Sequence, residues 1–264
     1  MVRVCCEPGD AVKVLVTFAL ANEFGPWRRL RHFDDVSSDA GNRTCAAEIG
    51  LADVRVVLTG AGHFAAQRSV EKAFEDVPDV CIVSGLSGSL KSDYRVGDVL
   101  AARWVSDAKG VKLLHCDPEL VTDADSCGAR VVERFLVSEQ VVATAKEKRS
   151  LGASGDAVDM ESIYILGAAA HRGIRALTIR AISDGVESDL PLDFDGVFTV
   201  RGTVSVPKVI GQLVRRPARL GGLLQLARDS KHAATELARF LDKYIQHLAD
   251  GPPTQMANTE ALAV

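Results

Sequence analysis

The sequence has no CxxC pair and no Cys/His cluster; its six cysteines (Cys5, Cys6, Cys45, Cys81, Cys116 and Cys127) are scattered, with only Cys5 and Cys6 adjacent. That scatter excludes the common zinc motifs. In 264 residues with 47% hydrophobic content, free thiols in a reducing compartment fit better than a disulfide scaffold. The histidines (His32, His63, His115, His171, His232 and His247) also lack ligand spacing, so a metal-dependent hydrolase has little support and neither metal nor cofactor is expected. A basic surplus is missing as well: 31 Lys and Arg against 35 Asp and Glu give a net charge of -4. A nucleic-acid partner, whose phosphates demand cations, is therefore not expected. The opening MVRVCCEPGDAVKV lacks the apolar run of a signal peptide, and no charge-free stretch reaches membrane-spanning length. The expectation is a soluble, cytoplasmic protein. With no internal repeat or linker, residues 1–250 read as one α/β domain and residues 251–264, from Gly251-Pro252-Pro253 onward, as a disordered tail.

What is present is a series of short apolar runs rich in β-branched residues: Val12–Phe18, Val54–Thr59, Val80–Ser84, Asp98–Val105 and Ala176–Ile182. Continuous apolar runs suit strands covered on both faces. Helical patterns alternate with them at Glu23–Phe33, His63–Phe74 and Met160–Ala170, and Leu220–Leu248 carries leucine and alanine at helical spacing. The alternation predicts a three-layer α/β fold, a central mixed, mostly parallel sheet flanked by helices. Arg103–Asp107 and Lys112–His115, joined by Ala108-Lys109-Gly110, predict a hairpin beside it.

Gly60-Ala61-Gly62-His63-Phe64-Ala65, between a strand and a helix, has the G-x-G-x-x-A spacing of a dinucleotide-binding turn. That turn needs an acid at the carboxyl end of the next strand, ~20 residues on. Asp79 falls at this distance but precedes its strand, which argues against a nicotinamide or flavin enzyme. Gly60 and Gly62 then serve either a tight turn or the close approach of a ligand to a helix N-terminus.

Two acidic segments sit at element ends, where α/β proteins build their sites. Val158-Asp159-Met160-Glu161-Ser162 enters a helix, and Arg180-Ala181-Ile182-Ser183-Asp184 ends a strand. Asp159 and Glu161 alone could simply complement a helix dipole, and Asp184 could be a turn residue or an N-cap.

Together they resemble the nucleoside phosphorylase/nucleosidase superfamily, in particular the 5'-methylthioadenosine/S-adenosylhomocysteine nucleosidases. The family carries V-[ED]-M-E, one helix, then a strand ending R-A-I-S-D. Gly60-Ala61-Gly62, Val96-Gly97-Asp98-Val99 and Ala19-Leu20-Ala21-Asn22-Glu23-Phe24 match its other landmarks, so the resemblance runs from about Val12 to Asp184. It implies cleavage of the N-glycosidic bond of a purine nucleoside, with adenine as the base, through an oxocarbenium-like ribosyl centre. Asp184 would be the general acid toward N7, on a pKa raised by its site, with Ser183 orienting it. Glu161 would accept the ribose hydroxyls, and Glu23 would activate water. Met160, Asp159, Ser87, Gly88, Gly60 and Gly62 would complete the substrate contacts.

Two departures accompany the match. Gly85-Leu86-Ser87-Gly88-Ser89-Leu90 stands where the family has G-[ST]-A-G-G-L, so Leu86 replaces a small or hydroxyl residue and Ser87 is the compensating candidate. Val141-Val142-Ala143-Thr144 supplies no aromatic where the family places one over the base. No arginine directly precedes Gly85, and a carboxylate at Glu23 would repel an anionic nucleophile, so hydrolysis is favoured over phosphorolysis. A phosphorylase and a nucleoside-binding protein without catalysis are the alternatives. Asp189-Leu190-Pro191-Leu192-Asp193-Phe194 and Arg215-Arg216-Pro217 further resemble the hopanoid-associated branch, which implies a lipid-linked 5'-substituent and peripheral membrane contact. The superfamily implies a homodimer or larger homo-oligomer.

Overall fold

The computed structural model describes residues 11–39, 42–192 and 217–251. The tail from Pro252 lies outside them, as do Asp193, Phe194, Arg215 and Arg216 of the narrower resemblance.

The strands are β1 (Val12–Phe18), β2 (Asp34–Asp39), β3 (Asn42–Ile49), β4 (Ala52–Leu58), β5 (Val80–Ser89), β6 (Val99–Asp107), β7 (Leu113–His115), β8 (Arg130–Val137), β9 (Ala157–Asp159) and β10 (Arg175–Asp184). The helices are α1 (Ala21–Leu30), α2 (His63–Ala73), α3 (Pro118–Ser126), α4 (Ala145–Leu151), α5 (Ser162–His171) and α6 (Leu220–Asp250), the last preceded by a 3₁₀ turn at Pro217–Arg219. The expected α/β architecture is the one observed: one mixed sheet flanked by helices. β1–β4, β1–β5, β5–β10, β6–β8 and β8–β9 pair parallel. β2–β3, β3–β4, β5–β9, β6–β7 and β6–β10 pair antiparallel.

Part of this sheet closes on itself. β10 pairs β5 on one side and β6 on the other; β6 continues to β8, β8 to β9, and β9 returns to β5. The closing strand is short because it needs only the two partners Gly88↔Val158 and Ser89↔Ala157 to reach β5. Closure brings the carboxyl ends of β8, β9 and β10 beside the end of β5, and that positions the site. The predicted hairpin is β6–β7, with Trp104 opposite His115.

The parallel strands are buried almost throughout, as their apolar runs require: Leu15, Ile82, Leu177 and Ile179 have no exposed surface. Each such side chain contributes roughly 1.5–3 kcal/mol on burial. The strand-facing stripe of α6 follows from its sequence period, with Ala234, Leu237, Leu241, Tyr244 and Ile245 buried. Its first turns run into solvent instead, leaving Leu220 and Leu224 exposed. Asp242 of α6 accepts a forked pair from Arg31 at 2.6 and 3.0 Å, which fixes α1 over the sheet. Among the described residues no helix is long and apolar enough to cross a membrane, and Cys45, Cys81, Cys116 and Cys127 are buried free thiols.

Candidate functional site

One cleft gathers the residues singled out from the sequence. Glu23, Ser87, Gly88, Asp159, Met160, Glu161, Ser183 and Asp184 line it, with Leu20, Leu86, Val141, Val142 and Leu190 among its apolar walls. Gly60 and Gly62 flank it through Ala61, which belongs to the lining.

Glu23 enters from the first turn of α1, immediately after β1. Its Oε2 accepts the N–H of Leu20 at 2.9 Å and its Oε1 the N–H of Leu86 at 3.2 Å. The donor at position 86 is thus the main chain, and replacing the family's small residue with leucine keeps it. Burial raises the Glu23 carboxyl above the usual range, against the lowering influence of Arg180 and three backbone N–H groups.

The turn after β4 is bound to the turn after β1: Thr59 N–H donates to Phe18 O and Gly60 N–H to Ala19 O. Gly60 and Gly62 take φ of 80° and 87°, a region open to glycine. Gly62 precedes α2, and its N–H donates to Glu161 Oε1 at 2.7 Å. The turn that mimics a dinucleotide fingerprint is therefore occupied by a carboxylate of the chain itself.

Val158-Asp159-Met160-Glu161 differs locally from the expected helix entrance. Ala157–Asp159 is a strand, Glu161 occupies the N-cap position, and α5 begins at Ser162. The pairing of β9 with both β5 and β8 overrides the helical pattern there. Asp159 Oδ1 accepts the N–H groups of Glu161 and Ser162, each at 2.9 Å, and Oδ2 takes the Ser162 hydroxyl. Asp159 consequently braces the loop that carries Glu161. Burial pushes the Glu161 carboxyl up to about 7, with Arg180 opposing and Asp159 and Glu23 reinforcing.

Arg180, quoted in the sequence only as part of a motif, is the cation behind these acids. It is fully buried and donates from Nη2 to Ser162 Oγ at 2.9 Å. Its guanidinium lies 3.3 Å from Asp159 and 3.7 Å from Glu161; the Nε–Asp159 contact is an ion pair without hydrogen-bond geometry. Gly85, at φ +143°, leaves room for it: a Cβ there would meet the guanidinium and stand 3.3 Å from both Glu23 oxygens.

Asp184 ends β10 opposite Gly88, after a one-residue slip of register following Ile182. The slip leaves Ser183 to donate to Asp184 Oδ1 at 2.7 Å and, alternatively, to Ser87 O at 3.2 Å. A Cβ at Gly88 would stand 3.0 Å from Asp184 Oδ2, so the glycine keeps that approach open. Lys148, which sequence reasoning missed, donates to the same Oδ2 at 2.5 Å. Ser87 Oγ is buried and, among the described residues, has no hydrogen-bond partner, a donor and acceptor held ready beside the cleft. No aromatic residue and no Lys or Arg belongs to the lining, among the described residues. Arg43 pairs with Asp35 away from it, and Arg68 is exposed.

Such an arrangement can hold a sugar between carboxylates and present an acid to a leaving group. The fold is similar to that of solved nucleosidases. It superposes on the 5'-methylthioadenosine/S-adenosylhomocysteine nucleosidase of Helicobacter pylori with a TM-score of 0.70 at 15% identity, covering 89% of this chain and 98% of that one. The futalosine hydrolase of the same organism gives 0.70 at 15% identity over 89% and 97%. The methylthioadenosine/S-adenosylhomocysteine nucleosidase of Neisseria meningitidis gives 0.68 at 18% over 89% and 98%. No curated protein matches the chain. Residues 13–215 match the phosphorylase superfamily, and the chain belongs to that superfamily.

Proposed function

We propose that the chain hydrolyses the N-glycosidic bond of an adenine nucleoside bearing a 5'-substituent. The observation that carries this reading is the convergence of Glu23, Asp159, Glu161 and Asp184 on one cleft whose lining, among the described residues, holds no Lys or Arg. Arg180 is taken up by Asp159 and Glu161 and Lys148 by Asp184, so among the described residues no cation is left free in the cleft for an anionic nucleophile, and water fits better than phosphate. The neighbours, nucleosidases and a futalosine hydrolase by name, are hydrolases too.

In this mechanism the C1'–N9 bond loosens before the nucleophile arrives, and the ribosyl centre becomes positive. Asp184 delivers a proton toward N7 of the base, held in line by Ser183. Glu161 accepts the ribose hydroxyls and stabilises the sugar charge, and Asp159 keeps Glu161 in place. Glu23, its carboxyl raised by burial, takes a proton from the attacking water. Met160 packs against the ribose, Ser87 Oγ bonds a substrate hydroxyl, and Gly60, Gly62 and Gly88 admit the ligand close to backbone. Val141, Val142 and Leu190 provide apolar cover for the base in a lining that holds no aromatic among the described residues.

Adenine release from methylthioadenosine, S-adenosylhomocysteine and a 5'-alkyl adenosine, each with and without phosphate, tests the reading. Adenine and free sugar should appear in phosphate-free buffer. Release only with phosphate would make the chain a phosphorylase, and no release would leave a binding protein.

A further inference from the structure

Lys148 lies on α4, outside every motif of the family pattern, and is fully buried. An ammonium removed from water costs several kcal/mol unless its charge and its donors are matched. Here both are. Its Nζ donates to Asp184 Oδ2 at 2.5 Å, Ser188 O at 2.8 Å and Gly185 O at 3.0 Å, one acceptor for each N–H. With Ser183 on Oδ1, both oxygens of Asp184 receive a donor from the protein.

Helix α4 is fastened so as to hold this contact. Thr144 and Glu147 form a capping box at its start. Asp189 Oδ1 accepts Ala145 N–H at 2.7 Å, and Leu190 N–H donates to Ala143 O at 2.7 Å. The other charges around the pair are engaged elsewhere: Arg149 with Glu187, Glu147 with Thr144, and Glu161 and Asp159 with Arg180.

We infer that Lys148 is a positioning residue for Asp184 that also holds the proton destined for the departing base. The inference rests on the reading of Asp184 as the acid. As the C1'–N9 bond breaks, its electron pair passes to the purine and N7 becomes basic. A proton then moves from Lys148 Nζ to Asp184 Oδ2 and from that oxygen to N7, leaving Lys148 neutral. Water adds its oxygen to C1' and yields a proton to Glu23. Glu23 returns one proton to solvent and Lys148 takes one up, so nucleoside and water give free base and free sugar.

The test uses Lys148→Met and Lys148→Ala in the full chain. We expect kcat to fall about 100-fold or more with KM within threefold. The remaining rate should rise toward acid pH, because the carboxyl must then draw its proton from solvent, and added ethylamine should restore Lys148→Ala at least tenfold. A Lys148→Met rate within threefold of the parent, or an unchanged pH profile, overturns the inference. So does a loss that ethylamine does not touch in a variant with native circular dichroism, since that leaves a brace only. A parent chain that releases no base instead overturns the reading of the site, and proton delivery with it. The positioning contact is read independently by nitrogen NMR of the lysine ammonium groups. One slowly exchanging signal should vanish in Lys148→Met and exchange fast in Asp184→Asn; a signal indifferent to Asp184→Asn refutes the contact.

Discussion

The backbone N–H of Gly62 donates to Glu161 Oε1 at 2.7 Å, across 99 residues of chain. A helix N-terminus with a free N–H is a ready anion site, and here the anion is supplied from within. Two segments that look independent in the sequence, a glycine turn and an acidic loop, are one structural unit. The carboxyl they share is pushed toward neutrality by its burial.

Glu161→Gln should therefore change how stability depends on pH. The carboxyl sits at about 7 in the folded chain against 4.5 as the ordinary value. Between those values the folded chain keeps a proton that the unfolded chain has released. Stability from this group accordingly falls as pH rises through that window and stays reduced above it. Gln can still accept from Gly62 and removes the loss, a gain of roughly 1–3 kcal/mol above pH 7. Thermal unfolding at pH 5 and pH 8 measures it: the difference between the two should shrink in the variant, while ribose binding and turnover both weaken.

Asp184→Asn should lower turnover by about 100-fold or more while leaving ligand affinity within a few fold, since shape survives and the transferable proton does not. It also leaves the Lys148 ammonium without its counter-charge, at a cost of about 3 kcal/mol. Steady-state kinetics with a parallel denaturant titration separates the two effects. A fully active variant would remove Asp184 as the acid.

Glu23→Gln should reduce hydrolysis by roughly 10²-fold or more, because the amide cannot take a proton from water. The Gln oxygen can serve only one of Leu20 N–H and Leu86 N–H while its NH2 faces the other, so circular dichroism and melting temperature are read beside the rate. Binding of a substrate analogue by calorimetry should stay near the parent value; normal water-dependent rates would exclude Glu23 as the base.

Gly85→Ala tests the packing behind the acids. The new Cβ faces the Arg180 guanidinium and the Glu23 carboxylate at a φ of +143°. A strained backbone of this kind costs about 1–3 kcal/mol. Displacing Arg180 should also cut kcat more than tenfold, read from the melting temperature and initial rates together.

The strands β1, β4, β5 and β10 were legible because continuous apolar runs with covered faces leave few other solutions. β2 was not: Asp34, Asp35 and Val36 are exposed, so no alternation announces that edge hairpin. β9 reads as a helix start, and only its pairing with β5 and β8 makes Ala157–Asp159 a strand. Of the site, Glu161 and Asp184 could be singled out because they sit at element ends, and Glu23 only through the family resemblance. Arg180 stood in plain view in one of those motifs, but its place among three carboxylates belongs to the closed sheet. Lys148 had a faint local signal, the Thr144-x-x-Glu147 cap beside it. Its burial depends on a partner 36 residues away, which no local pattern encodes.

The ring formed by β5, β10, β6, β8 and β9 separates two tasks that many enzymes entangle. Of the residues proposed to act on the bond, Asp184 ends one strand of the ring and Glu161 follows another, while Glu23 reaches it from α1. Residues proposed to cover the base, Val141, Val142 and Leu190, hang from the segments beside α4. Substitutions among these coverings should therefore change which nucleoside is accepted while leaving the proposed bond cleavage in place.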